Sequence, residues 1–169
     1  MADKDDRLDQ WLRDAHAMEE QAEQMLKAQA GRIENYPDLA TRIRQHLEET
    51  HSQRERLERC IARRGGATSA VKDITAKFTA MMQGLGGMMA GDEVMKGTLA
   101  SYAFEHFEIA AYRILVAAAE AAGDMETARV CESICQEEED MAAWLMDHIP
   151  EVTRIYLARE DAGLAEAKR

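Results

Sequence analysis

Proline is almost missing from this chain. Only two occur in 169 residues, and because proline breaks helices and sheet ladders alike, its scarcity leaves room for long uninterrupted elements. β-branched residues are also few, which leaves strands little to be built from. Cysteine is scarce and odd in number: Cys60, Cys131 and Cys135 lack the CxxC spacing of a zinc knuckle and cannot form a complete disulfide framework. Cys131 and Cys135 sit one helical turn apart and read as buried thiols. Basic residues are outnumbered, 21 Lys and Arg against 32 Asp and Glu, for a net charge of -11 and a pI near 4.9. A chain so acidic lacks the basic face that displaces counterions from nucleic acid, so no nucleic-acid partner is expected. No apolar run approaches the roughly 20 residues that span a bilayer, and the first residues lack the apolar stretch of a signal peptide. A cytoplasmic chain without a membrane partner is therefore expected.

Helix formers are abundant: Ala, Glu, Met, Leu, Arg and Gln dominate the composition. Leu8, Trp11, Leu12, Ala15, Met18, Ala22, Met25 and Leu26 recur at three- and four-residue spacing, predicting a first helix from about Asp5 to Ala30. Pro37 suits a helix start, and Leu39, Ile43, Leu47, Thr50, Leu57 and Ile61 mark the second helix up to Gly65-Gly66. A third helix is predicted from Asp92 to Ala122 and a fourth from Met125 to His148. The fourth is expected to stop before Pro150, with a short helix over Glu151 to Arg159. The stretch 65–92 carries several glycines and methionines, and a short helix is expected near Val71 to Met82. Its length suits a crossover between two antiparallel hairpins. The expected architecture is all-α: a single ferritin-like four-helix bundle over 1–169, with 65–92 as the crossover and a short C-terminal helix.

An apolar bundle core has no use for charge, since an unpaired buried carboxylate costs several kcal/mol or is forced neutral. Inward-facing carboxylates therefore demand a reason. At about 100° per residue, Glu138 falls within the stripe of Ile134, Met141 and Leu145. Glu105 lies with Tyr102, Ile109 and Tyr112, and Glu19 beside Ala15, Ala22 and Leu26. Glu108, and Glu49 with His46 and Gln53 beside it, lie near stripe edges. Every helix thus offers a carboxylate near its middle, with His46/Glu49 and Glu105/Glu108 paired at i, i+3. Oxygen donors converging from four helices are what a two-metal carboxylate centre requires. Glu48 and His51 also form a Glu-x-x-His string, but both point away from the stripe. The competing reading is that a Glu on a helix flank is solvated and inert.

The strings His46-Leu-Glu-Glu-Thr50, Glu105-His-Phe-Glu-Ile-Ala-Ala-Tyr112 and Glu137-Glu-Glu139, with a looser match over Asp14 to Gln21, resemble the YciE/YciF ferritin-like stress proteins. The resemblance runs in order over nearly the whole chain. It implies a ferritin-like bundle, commonly dimeric, with a two-metal site and no settled activity. Carried over residue by residue, it makes Glu19, Glu49, Glu108 and Glu138 the core ligands, with Glu105 and Gln53 as additional ones. One departure bears on the site: Ala142 stands where family members usually place an Asp.

Two functions follow as expectations. In the first, iron or manganese, dinuclear or, given Ala142, mononuclear, sits in the core and reacts with peroxide or oxygen. In the second, the protein is a non-enzymatic dimeric scaffold whose inner carboxylates are protonated or salt-bridged, Arg113 being a possible counter-ion for Glu105 or Glu138. A homodimer is the expected partner in both, and Trp11 and Trp144 near helix ends are the residues suited to it.

Overall fold

The computed structural model describes residues 3–68 and 92–164. Among them are four helices and no strand: α1 (Lys4–Ala30), α2 (Pro37–Arg63), α3 (Glu93–Ala122) and α4 (Met125–Asp161). Local chemistry sets their ends. Asp3 caps α1 through a reciprocal capping box with Asp6. Pro37 occupies the first turn of α2. Gly123, at φ 77°, ends α3 in the left-handed conformation, and the next residue, Asp124, caps α4 by accepting from the Thr127 amide. The short helix expected near Val71 to Met82 lies outside the described residues.

The fourth helix does not stop where proline predicted. It continues through Pro150 to Asp161, so the expected separate terminal helix is the last part of α4. Pro150 is exposed, as is Met146 four residues earlier. The carbonyl that loses its amide partner therefore lies on the solvent side, where water can satisfy it. Beyond the proline, buried Val152 and Tyr156 hold the helix against Tyr36 and Leu39.

α1 packs on α2 and α3, and α4 packs on α2 and α3, so α1 and α4 face each other diagonally, as do α2 and α3. Lys4 near the start of α1 donates to the Ala121 carbonyl near the end of α3, and Ser101 of α3 bonds Gln29 of α1. Arg63 at the end of α2 meets Asp124 at the start of α4. Neighbours are thus antiparallel, and α2 ends at the opposite end of the bundle from where α3 begins, as a long crossover requires. No helix among the described residues is long and apolar enough to cross a membrane.

The core is split in two. Leu8, Leu12, Leu57, Phe104, Leu115 and Ile134 anchor one apolar cluster, and Leu26, Tyr36, Leu39, Ile43, Leu145 and Val152 anchor the other. On α4 the break between them falls at Glu138 and on α2 around His46 and Gln53, whereas Glu19 on α1 and Glu105 and Glu108 on α3 stand among residues of the first cluster. The apolar clusters hold the backbone rigid on both sides of a polar belt at mid-bundle.

Candidate metal centre

Four helices deliver polar groups to that belt. Glu19 comes from α1, His46 and Gln53 from α2, Glu105 and Glu108 from α3 and Glu138 from α4, and none is more than 1% exposed. One potential ligand atom from each of His46, Glu105, Glu108 and Glu138 can be chosen so that all four lie within 4.8 Å of one another. His46 Nε2 is 3.1 Å from Glu105 Oε2 and 3.2 Å from Glu138 Oε2, close enough for ion pairs. Neither oxygen completes a well-aligned hydrogen bond. Glu19 joins the group from the other side, accepting a hydrogen bond from the Tyr112 hydroxyl.

The electrostatics are those of a site short of positive charge. Burial pushes the Glu19 carboxyl up to about 8, despite the Tyr112 hydrogen bond. Burial, and then the charges of Glu19, Glu138 and Glu105, raise Glu108 well above the carboxylate range. Glu138 is raised by burial as well, against the opposing pull of His46. Burial alone would lower His46, but the Glu105 charge and the carboxylates of Glu138 and Glu49 outweigh it and hold the imidazole well above its usual value. Tyr112, enclosed and beside Glu19, is also raised.

Unpartnered atoms show what is lacking. Glu19 Oε2, Gln53 Oε1, Glu105 Oε2, Glu108 Oε1 and both oxygens of Glu138 are buried without a hydrogen-bond partner. Such atoms cost free energy unless protonated or coordinated. Oxygen donors with one imidazole form a hard, mixed O/N set that fits iron or manganese. The three cysteines are buried free thiols, and none belongs to the set.

The remaining predicted residues take other places. Glu49 stands at the rim, a quarter exposed. It accepts from His46 Nδ1 at 2.8 Å, from Arg42 at 3.0 Å and from Gln45 at 2.9 Å. Burial would raise it, but the His46 and Arg42 hydrogen bonds outweigh that and hold it at about 2. An ionised Glu49 on Nδ1 turns Nε2 towards the cluster, the arrangement by which a carboxylate orients a ligating histidine. Gln53 donates to Glu137 Oε2 at 2.9 Å, leaving its oxygen inside. Ala142 is buried one turn beyond Glu138 and brings no donor. Glu48 and His51 are exposed, as their helical position requires, and His51 pairs with Glu55.

Arg113 is not an internal counter-ion. Its side chain is exposed and pairs with Glu139 at 2.5 Å, because a long cationic side chain on a helix flank reaches water more easily than the core. The partners that sequence reasoning missed are Tyr112 for Glu19 and Arg42 for Glu49. The first was legible only as an aromatic on the core stripe. The second lies seven residues away on the same helix, and that two-turn spacing was a usable signal.

Comparison with known proteins places this geometry. A family described as a domain of unknown function, DUF892, matches residues 3–158. The chain belongs to the DUF892 family. A solved protein structure from Xanthomonas campestris shares 43% identity, with 94% of this chain and 99% of that one covered at a TM-score of 0.81. YcfI from Rhodopseudomonas palustris shares 27% identity over 85% of this chain and 93% of its own, with a TM-score of 0.72. The E. coli stress protein YciF has the same fold, with a TM-score of 0.75 at 24% identity over 88% of this chain and 96% of that one. The resemblance carried by the His46–Thr50 and Glu105–Tyr112 strings is borne out by DUF892 membership and by these neighbours.

Proposed function

We propose that this DUF892 chain holds a dinuclear iron or manganese centre in its polar belt and uses it to consume peroxide or oxygen under stress. One observation carries the reading: buried oxygens of Glu105, Glu108 and Glu138, from α3 and α4, gather with the α2 imidazole of His46, whose other nitrogen is held by the Glu49 carboxylate. Glu108 feels the charges of both Glu19 and Glu138 and would be among the ligands of such a centre. His46, Glu105 and Glu138 would hold one cation, and Glu19 with Gln53 would supply donors towards the other. The bound metal would supply redox chemistry that no side chain here can perform. The chain's own part is to orient the donors, exclude water and hold the Tyr112 hydroxyl in its hydrogen bond to Glu19. The name of the stress protein YciF accords with such a role.

A second reading has its own support. Ala142 removes a donor next to Glu138, which favours a single cation at His46, Glu105, Glu108 and Glu138. A homodimer, which suits either reading, belongs to the proposal too.

The test is peroxide consumption by protein reconstituted with ferrous or manganous ion and freed of unbound metal. Turnover lost in Glu108→Gln while the fold is kept supports the reading. Metal-loaded wild type that consumes no peroxide or oxygen refutes the redox role and turns attention to a scaffold function.

A further inference from the structure

The belt is sealed, yet a cation has to reach it. On the side where α2 meets α4, a cavity of about 360 Å³ is lined by Arg42, Gln45, Glu49, Glu137, Asp140 and Trp144. Its wall is thin. Glu49 lines the cavity and touches His46 Nδ1 at 2.8 Å, while the opposite nitrogen of that ring lies 3.1 Å from Glu105. Beside it, Glu137 lines the cavity and accepts from Gln53, whose side chain is fully buried and whose oxygen is unpartnered inside. One carboxylate–imidazole pair and one carboxylate–amide pair thus link the cavity to the cluster.

The charge around this cavity is graded. Exposed Asp140 is outermost, Glu137 and Glu49 are half-buried, and the cluster lies beyond. Arg42 and Arg56 hold Glu49 and Glu137 in place, so among the described residues Asp140, which accepts from Gln136 at 2.9 Å, is the lining carboxylate without a salt bridge. The groove on the other side, between α1 and α3, is different. Apart from Asp14 and Gln21 it is lined by apolar side chains, Trp11, Met18, Phe107 and Ile114 among them. A hydrated divalent ion would lose water there without replacement ligands, whereas the α2/α4 cavity offers carboxylate and amide oxygens step by step.

We infer that the α2/α4 cavity is the access route for divalent cations to the polar belt, with Asp140 attracting the ion and the Glu49–His46 and Glu137–Gln53 pairs passing it inward. This rests on the proposal that the belt binds metal. A carboxylate that steers an ion alters the rate of loading and not the final occupancy, and its effect fades as salt screens it.

The experiment is stopped-flow loading of chelator-treated full chain with Mn²⁺, read by tryptophan fluorescence and by loss of the free-ion EPR signal. The variants are Asp140→Asn, Asp140→Lys and, as a charge-matched control on the apolar side, Asp14→Lys. At low ionic strength the rate should fall by about threefold in Asp140→Asn and roughly tenfold in Asp140→Lys. Asp14→Lys should load like wild type, all variants should reach the same occupancy, and the differences should shrink in about 0.5 M salt. Equal rates for Asp140→Lys and wild type, or equal slowing by Asp14→Lys, overturn the route while leaving the site intact. Failure of wild type to bind Mn²⁺ at equilibrium overturns the site and the route together.

Discussion

Replacing Glu19 by Gln should stabilise the metal-free protein, and by much more at pH 8 than at pH 5. Glu19 is fully buried, and its carboxyl is pushed from 4.5 up to about 8. Between those values the unfolded chain has lost the proton while the folded one keeps it, so stability falls as pH rises. Across that window the loss is about 5 kcal/mol, most of it between pH 5 and pH 8. The variant cannot ionise, and its amide oxygen still accepts from Tyr112, so that slope disappears. For a chain of this length the gain corresponds to about 10 °C in Tm. Glu108 and Glu138 are raised too, and His46 likewise keeps its proton above its unfolded value, so they add to the same downward trend in wild type. Thermal unfolding followed by circular dichroism, with chelator present, measures the difference. If the variant and wild type differ by the same amount at pH 5 and pH 8, Glu19 is not a buried carboxyl without a cation, and the electrostatic account fails.

Other substitutions probe separate parts of the account. Glu49→Gln should weaken metal affinity by about ten- to a hundredfold through loss of the charge that fixes His46, measured by competition with a metal-indicator dye. Because Glu49 ionises at about 2 when folded, its contribution to stability is present above about pH 4.5 and lost as pH falls towards 2; acid titration of Glu49→Gln should lack that part of the slope. Ala142→Asp should raise the metal occupancy of a half-furnished second position and lower apo stability by a few kcal/mol through another buried carboxylate, read by metal analysis and melting. Pro150→Ala should raise stability by about 1–3 kcal/mol by restoring a helical hydrogen bond, seen in denaturant unfolding.

Much of the site was legible in the sequence because helical spacing places a residue on a face. Glu138 between Ile134 and Met141 had no outward direction available, and the same logic sent Glu48 and His51 to solvent. What spacing could not resolve was the reach of long side chains. Glu49 lies on the correct edge but meets Arg42 and Gln45 at the rim, and Arg113 turns outward to Glu139. Tyr112 and Glu19 are 93 residues apart, so their hydrogen bond depends on the register of α1 against α3, which no local pattern contains. The course of α4 through Pro150 was hidden for a related reason. The packing of Val152 and Tyr156 decides it, and tertiary contacts override a local helix breaker when the freed carbonyl faces water.

The most direct measurement is the metal content of protein purified without chelator or affinity-column metal, before and after reconstitution with ferrous or manganous ion, in wild type, Glu108→Gln and Glu138→Gln. Wild type should hold about two equivalents of iron or manganese, lost in both variants. About one equivalent would select the single-cation reading that Ala142 favours. No bound metal in reconstituted wild type would contradict the central claim.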